Sequence, residues 1–177
     1  MNSICLDEEK GDIKVYRSKI NRDDRGFFYR TFCGNDIIDI LGAEFKIQQI
    51  NLSYTSNKGT VRGLHFQKSP YSEDKLIRCL SGKIFDVLID VRKNSSTYLK
   101  QYTFNLEAHD GRMIHVPKGF AHGFQALEDN TQLLYIHSQE YRKEFEDGLN
   151  VLDPSLSIEW PLVADNISSR DSKFDFL

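Results

Sequence analysis

The segment Thr60–Gln67 carries two side chains that could act together on a small anionic molecule. Arg62 supplies a permanent positive charge, and His65 supplies an imidazole, the side chain best suited to proton transfer near neutral pH. Residues three apart on a regular strand point to opposite faces. They share a cavity only if the strand bulges, which Gly63 would permit. The alternative is a surface arginine and a core histidine, and this segment alone does not choose between them.

A second histidine follows a pattern that is known from metal sites. Pro117–His122 reads PxGxxH, which resembles the second motif of cupin barrels, where the histidine binds a metal. The first cupin motif needs an HxH pair followed by a glutamate, whereas the corresponding strand here offers only His65, followed by Phe66 and Gln67. A metal held by His65 and His122 would lack ligands. We therefore expect no metal and no other cofactor.

Other chemically capable side chains lie in strand-like segments and have plain structural interpretations. Asp86 stands among apolar residues, so it lies either at a strand edge or in a lined cavity, because burial without a partner is costly. The segment Gln132–Ser138 places Tyr135 and His137 on one face, where a tyrosine is usually core packing. Trp160 is most simply a packing anchor.

Strand patterns dominate the chain and must position these side chains. Runs of β-branched and aromatic residues alternate with turn clusters of Gly, Asp, Asn and Ser. The clearest hairpin turns at Ser81-Gly82, and a second turns at 128–130. The predicted strands are 14–18, 27–32, 45–55, 60–67, 75–80, 83–92, 98–107, 113–117, 121–127 and 131–138.

These elements predict an all-β fold. Many short strands with frequent turns indicate a sandwich or barrel, and the nearly consecutive hairpins favour an antiparallel jelly roll, although an immunoglobulin-like sandwich shows the same periodicity. One amphipathic helix is predicted at Asn35–Leu41, and a weaker helical pattern at Ser168–Lys173. We expect Asn35 or Asp36 to cap the first helix, and its inward face to consist of Ile37, Ile38, Ile40 and Leu41. The length fits one domain, residues 1–177.

The composition narrows the class of protein. Hydrophobic residues make up 40% and charged residues 28% of the 177 residues, as in ordinary globular proteins. A net charge of -3 argues against a nucleic-acid partner. The three cysteines lack CxxC spacing, and the first residues lack a signal-peptide pattern. No segment reaches the length of about 18 apolar residues that a membrane span needs. We therefore expect a cytoplasmic protein in a reducing compartment that binds no membrane.

Taken in order, several motifs resemble those of the dTDP-4-dehydrorhamnose 3,5-epimerase family. The similarity runs from Asp24-Arg25-Gly26-Phe27-Phe28 to Ser168-Ser169-Arg170-Asp171. Its most specific pieces are VRGLHFQ (61–67), KLIRCLSGKIFDVLIDVRKNSSTY (75–98), VPKGFAHGFQAL (116–127) and DPSLSIEWP (153–161).

The resemblance implies a metal-free, cupin-type jelly roll that is usually a homodimer. Its substrate would be a nucleotide-diphosphate-linked 4-keto-6-deoxyhexose, epimerised during biosynthesis of an activated deoxysugar for surface polysaccharide. By position, His65 matches the general base, Tyr135 the general acid, and Asp171 the carboxylate that bonds the base. The other matching positions are Lys75 and His122 around the sugar, Arg25 and Arg62 at the diphosphate, Gln49 and Asn51 near the nucleotide, and Tyr141, Glu146 and Arg170 as further substrate contacts.

This chemistry suits those residue types. A ketone at C4 acidifies the protons on C3 and C5, and a neutral imidazole can remove them. The developing oxyanion needs a cation or a hydrogen-bond donor, for which Lys75 is the candidate. Inversion requires reprotonation from the opposite face of the ring, which Tyr135 could supply from another strand.

Three alternatives stay open at this stage. A single-centre epimerase, acting at C3 or C5 alone, would use the same base and acid. A metal-dependent cupin isomerase or oxygenase would use His65 and His122, and a silent sugar-nucleotide binding module would use neither as a catalyst. Arg30 stands where the family commonly has Glu, so a CDP- or GDP-linked sugar is an alternative to the dTDP-linked one. Arg170 stands where Lys is frequent, and with six residues after Asp171 we expect a reduced C-terminal closure.

Overall fold

The computed structural model describes residues 3–177, which form two antiparallel sheets, a small hairpin and short helices. The strands are β1 Ile4–Lys10, β2 Ile13–Ser18, β3 Asn21–Asp23, β4 Gly26–Phe28, β5 Gln49–Thr55, β6 Val61–Gln67, β7 Lys75–Ser81, β8 Lys83–Asp90, β9 Gln101–Glu107, β10 Arg112–Val116, β11 Phe120–Ala126, β12 Thr131–His137 and β13 Glu146–Gly148. Helix α1 spans Gly34–Leu41, and short 3-10 helices span Lys143–Phe145 and Asp171–Lys173.

The two large sheets pack face to face as a jelly roll, which confirms the predicted fold class. The six-stranded sheet has the order β1-β2-β10-β7-β12-β5, and the five-stranded sheet has the order β13-β6-β11-β8-β9. Their inner faces share one apolar core, to which Val15, Ile77 and Leu133 come from the first sheet and Leu88 and Phe124 from the second. Period-two alternation along the strands sends the remaining side chains to the outer faces.

Each outer face is covered by its own apolar layer. On the five-stranded sheet, Val87 and Ile89 pack with Leu149 and Leu156 of the C-terminal segment, and Trp160 joins this cluster. The predicted role of Trp160 as a packing anchor is therefore confirmed. On the six-stranded sheet the covering element is α1, whose Ile37 is fully buried. Within residues 3–177, no helix is long and apolar enough to cross a membrane.

Several element boundaries were predicted wrongly. Strand β4 ends at Phe28 rather than 32, β5 begins at Gln49 rather than 45, and β9 begins at Gln101 rather than 98. In the last case Leu99 has a φ of 62°, a left-handed conformation that cannot extend a strand. Strand β1 was missed because its side chains are mostly polar and exposed at a sheet edge.

The helix ends at Leu41 as predicted, but it begins one residue earlier, has a different cap, and does not bury Ile38. Its N-cap is Cys33, without a side-chain hydrogen bond, so neither Asn35 nor Asp36 caps it. Asp36 instead accepts hydrogen bonds from the backbone N–H groups of Ser3 and Ile4 and thereby ties the helix to β1. Ile38 is 40% exposed, because the helix has only one face on the sheet.

A glycine substitution tests the tightest backbone contact of the fold. A Cβ on Gly63 would lie 2.5 Å from the Gly123 Cα and 2.7 Å from the His122 carbonyl oxygen, at a φ of +120°. We expect Gly63→Ala to lower the free energy of unfolding by about 3 kcal/mol or more. Gly26→Ala is the matched control, since its φ is +131° but its Cβ would meet open space, and it should cost about 1 kcal/mol. Urea unfolding of both variants measures the difference, and equal losses would contradict this account.

Candidate active site

A cavity of about 530 Å³ opens between the sheets and the C-terminal segment. Strands β5, β6, β7, β11 and β12 line it together with residues 166–171. Its size suits a small molecule, and its wall holds many polar groups. The sequence-predicted site residues that line it are His65, Tyr135, Asp171, Lys75, Gln49, Asn51, Arg62, His122, Tyr141, Glu146 and Arg170.

A bulge in β6 brings Arg62 and His65 to the same cavity. His65 pairs with His122, whereas Arg62 pairs with Phe124, so three steps along β6 match two along β11. Gly63 lies in this bulge, as predicted. The Arg62 guanidinium is anchored on β5, where it donates to Thr55 Oγ1 over 3.0 Å and to the Tyr54 carbonyl over 2.9 Å.

His65 is held by a buried carboxylate. Its Nε2 lies 2.8 Å from Asp171 Oδ1, and the second Asp171 oxygen accepts from the backbone N–H of Gly63. Burial alone would raise the pKa of Asp171, but the hydrogen bonds from His65, Gly63 and Arg170 outweigh burial and lower it to about 2. Asp171 is therefore a fixed anion that orients the imidazole of His65.

Arg170 lies against the same pair. Its Nε donates to Asp171 Oδ1 over 3.0 Å, its Nη1 is 3.1 Å from Glu146 Oε1, and its Nη2 is 2.8 Å from His65 Nε2. Nε2 donates to Asp171 when it carries a proton and accepts from Arg170 when it carries none, so the two neighbours compete for Nε2. The Arg170 side chain is 53% exposed, which leaves it free to turn towards a ligand.

Tyr135 stands on β12 across the cavity. Its ring lies edge-on to His122, with centroids 6.1 Å apart, and is stacked with His137 at 6.0 Å. Burial raises the pKa of Tyr135 well above the ordinary value for tyrosine. The phenol is therefore protonated at physiological pH, as a proton donor must be.

His122 has its own buried carboxylate. Its Nε2 lies 2.7 Å from Asp86 Oδ1, and Asp86 is completely buried. The strand alternation already placed Asp86 either at a strand edge or in a lined cavity, and the structure selects an inward position on β8 beside His122. His122, like His65, is thus held at the cavity by a buried carboxylate.

The outer rim is formed by Gln49, Tyr141 and Glu146. Gln49 Oε1 accepts from the Tyr141 backbone N–H over 2.9 Å, and the Tyr141 hydroxyl donates to Glu146 Oε2 over 3.0 Å. Tyr141 is 50% exposed, so this rim borders solvent.

Glu73 and His137 also line the cavity, although the sequence analysis assigned them no role. Glu73 Oε1 is 3.2 Å from Lys75 Nζ, and its Oε2 is 2.8 Å from His137 Nδ1. Two signals were available. His137 is two residues after Tyr135 and shares its face of β12, and Glu73 is two residues before Lys75, just ahead of β7.

Two arginines that were given a possible role lie elsewhere. Arg25, predicted at the diphosphate, is on the β3–β4 hairpin with a 90% exposed side chain, 2.6 Å from Asp23 Oδ2. The fold of its own chain therefore does not bring it to the cavity. Arg30 donates to Ser3 Oγ over 3.1 Å, away from the cavity lining. In the part of the chain that the structure describes, no three His, Cys, Asp or Glu side chains are grouped as a metal site requires.

The comparisons with known proteins match epimerases in sequence and in structure. The sequence model of the family described as dTDP-4-dehydrorhamnose 3,5-epimerase matches residues 9–177. The Shigella flexneri dTDP-4-dehydrorhamnose 3,5-epimerase is 39% identical over 160 residues, which are 90% of this chain and 88% of that protein. The Bacillus anthracis dTDP-4-dehydrorhamnose 3,5-epimerase, solved with TDP and PPi bound, superposes with a TM-score of 0.94 at 35% identity, over 98% of this chain and 99% of that one.

A related enzyme with a narrower reaction is more distant. ChmJ, a 3'-monoepimerase from Streptomyces bikiniensis solved with dTDP-quinovose, has a TM-score of 0.86 at 28% identity, over 93% of this chain and 83% of that one.

The ionisation of Asp171 gives a pH-dependent test of the site. Because its pKa is lowered from 3.8 to about 2 in the folded protein, its contribution to stability is present above the unfolded value and is lost as the pH falls through about 2. We expect Asp171→Asn to reduce the free energy of unfolding by about 2 kcal/mol at neutral pH, and the gap to wild type to close in acid. Urea unfolding at several pH values measures the difference in the free energy of unfolding between variant and wild type. Asp175→Asn, at an exposed residue, is the control. A gap that does not change with pH would contradict the account.

Proposed function

The chain belongs to the dTDP-4-dehydrorhamnose 3,5-epimerase family, and we propose that it inverts both C3 and C5 of a dTDP-linked 4-keto-6-deoxyhexose with His65 as the base. Epimerisation of a nucleotide-diphosphate-linked 4-keto-6-deoxyhexose, an isomerase reaction, is the activity of this family. The observation that carries the assignment of the base is the 2.8 Å contact between His65 and buried Asp171 inside the cavity.

In the proposed reaction, His65 removes the proton next to the C4 ketone. Its Nε2 faces Asp171, so Nδ1 is the ring nitrogen left to take the proton. The charge on Asp171 then stabilises the imidazolium that forms. Abstraction leaves an enolate whose negative charge lies on the C4 oxygen.

Lys75 is the proposed partner of that oxygen. Its side chain is 9% exposed, so its charge acts where little water screens it. Its Nζ lies 3.5 Å from the His65 carbonyl oxygen, on the same part of the wall as the base. A cation fixed beside the base stabilises the enolate without reorganisation during the step.

Tyr135 is the proposed acid. It comes from β12, whereas His65 comes from β6 of the other sheet, which supports proton delivery to the opposite face of the ring. Its raised pKa keeps the proton available for the enolate. His122, held by Asp86, is proposed to contact the sugar beside Tyr135.

The remaining polar groups suit a nucleoside diphosphate. We assign Arg62 and Arg170 to the diphosphate because guanidinium groups bind phosphate oxygens through paired hydrogen bonds. On binding, Arg170 would leave Nε2 of His65 to Asp171, which ends their competition. Gln49 and Asn51 are assigned to the nucleotide, and Tyr141 and Glu146 to substrate contacts at the rim.

Two comparisons support the choice of substrate and centres. A solved relative holds TDP, which favours dTDP over CDP or GDP for this chain. Identity is 39% to a 3,5-epimerase and 28% to the 3'-monoepimerase, which favours inversion at both centres over one.

Exchange in deuterated water tests the reaction. The wild-type chain, given dTDP-4-keto-6-deoxyglucose and matched CDP and GDP sugars, should replace the C3 and C5 protons of the dTDP sugar with deuterium, as followed by proton NMR. Exchange at one carbon only would establish the single-centre alternative, and no exchange with any sugar would overturn the proposal.

Tyr135→Phe separates abstraction from inversion. The base is intact in this variant, so exchange at the first centre should persist, while formation of the inverted product falls by about 10²-fold or more. Tyr98→Phe, on a partly exposed tyrosine away from the cavity lining, is the matched control and should keep wild-type rates. Equal loss of exchange and inversion in Tyr135→Phe would contradict the role of Tyr135 as acid.

We further propose that the chain works as a homodimer. Strand β5 ends the six-stranded sheet, and its outer face exposes Ile50 at 58%, Leu52 at 61% and Tyr54 at 50%. An open sheet edge with an apolar face favours pairing with a second copy. The β3–β4 hairpin, with Phe28 73% exposed, would then be free to carry Arg25 to the partner's cavity.

Two expectations stay predictions from the sequence: a single domain, residues 1–177, and a cytoplasmic location.

A charged residue introduced on the exposed face of β5 tests whether the chain forms a dimer. In sedimentation velocity the wild type should have about twice the 20.5 kDa chain mass, and Ile50→Asp should have the mass of one chain. Leu152→Asp, at a residue 53% exposed outside β5, is the control and should stay dimeric. A monomeric wild type would refute this part of the proposal.

A further inference from the structure

Four polar side chains form a continuous row along one wall of the cavity. Asn51 Nδ2 lies 3.3 Å from His137 Nε2, and His137 Nδ1 lies 2.8 Å from Glu73 Oε2. Glu73 Oε1 lies 3.2 Å from Lys75 Nζ. The sheet register explains the row, because His137 pairs with Lys75 on one side and with Gln49 on the other. Asn51 is two residues beyond Gln49 on the same face of β5, and Glu73 is two residues before Lys75, just ahead of β7.

Three members of the row are buried and Asn51 is exposed, and the charges of the buried members depend on one another. Glu73 is 9% exposed, Lys75 7% and His137 9%. Burial opposes ionisation of Glu73, but the hydrogen bond from His137 and the charge of Lys75 outweigh burial and keep its pKa below the ordinary value. Removal of one member of such a buried pair leaves the other charge without compensation.

Donor and acceptor roles in the row are fixed by the charge of Glu73. An ionised carboxylate only accepts, so His137 Nδ1 must carry a proton towards it. When the ring is neutral, its Nε2 carries no proton and accepts a hydrogen bond from Asn51 Nδ2. The amide of Asn51 is therefore oriented with Oδ1 as its remaining acceptor. At the other end, the Lys75 ammonium is held between Glu73 and the carbonyl oxygen of His65.

We propose that Glu73 and His137 are positioning residues for the epimerisation. Glu73 aims the Lys75 ammonium at the ketone oxygen of the substrate and, through His137, turns Asn51 so that its Oδ1 meets a hydrogen-bond donor of the nucleotide. This inference rests on the proposed function, since the roles of Lys75 and Asn51 belong to it. It adds that a second array, buried except at Asn51, sets the geometry of both ends of the substrate.

Kinetics distinguish positioning from a structural role. Glu73→Gln keeps the shape and removes the charge, so kcat should fall about 10- to 100-fold while KM changes less than about threefold. His137→Asn keeps an N–H near the position of Nδ1, so it should retain kcat within about threefold. It should raise KM, because Asn51 loses the acceptor that orients its amide. His137→Phe keeps the ring and loses both bonds, so it should lower kcat and raise KM.

Two kinetic results would overturn the inference. One is a Glu73→Gln enzyme with wild-type kcat. The other is a loss of the thermal midpoint in all three variants without any separation of kcat from KM, which is what a merely structural role would produce.

A measurement without substrate keeps this test separate from the proposed function. In protein labelled with ¹⁵N-histidine, long-range ¹H–¹⁵N spectra should show His137 with Nδ1 protonated and Nε2 bare, with the resonance assigned from its absence in His137→Asn. Glu73→Ala should abolish this preference. A protonated Nε2 in the wild type, or an unchanged tautomer in Glu73→Ala, would contradict the proposed hydrogen-bond directions along the row. If the wild type turns over no sugar but shows this tautomer, the proposed function fails while the array stands.

Discussion

The structure depends on the place where the backbones of β6 and β11 come too close for side chains. A Cβ on Gly123 would lie 2.7 Å from the Arg62 carbonyl oxygen, and one on Gly63 would lie 2.5 Å from the Gly123 Cα. Two glycines that face each other allow β6 to bulge without separating the sheet. The bulge turns Arg62 and His65 towards the same cavity. The arginine that we propose for anion binding and the histidine that we propose as base become neighbours through this bulge.

A second constraint is that buried charges in the cavity occur with partners. Asp171 is held by His65 and Arg170, Asp86 by His122, and Glu73 by Lys75 and His137. Unpaired, each would be costly to bury, so every carboxylate fixes the orientation of a histidine or a lysine. Arg62, Arg170 and Lys75 place cationic groups on the cavity wall of a chain of net charge -3. The acidic side chains of the same wall, Glu73, Glu146 and Asp171, are paired with Lys75 or Arg170.

The all-β fold and most of its strands followed from the sequence, because alternation of apolar residues has the period of the strand wherever one face is buried. The consecutive hairpins and the resemblance of the motifs favoured the jelly roll. The errors share one cause. Strand β1 was missed because its exposed, polar side chains show no such alternation, and the cap of α1 was misplaced because Asp36 bonds to β1, which is distant in sequence. Burial and tertiary partners decide such boundaries, and local pattern does not record them.

For the site, the sequence by itself determined the residue types: a histidine and an arginine around a glycine, a tyrosine and a histidine on one strand face, and the motifs of the family. Only the tertiary structure decided which of them meet. It placed His65 against Asp171 across 106 positions of chain, a contact that only the resemblance had implied, and it left Arg25 on an exposed hairpin. It also added Glu73 and His137 to the wall, 64 positions apart. The physical reason is that strand periodicity determines on which face of a sheet a side chain lies. The register between strands and the path of the C-terminal segment determine which other side chains it contacts.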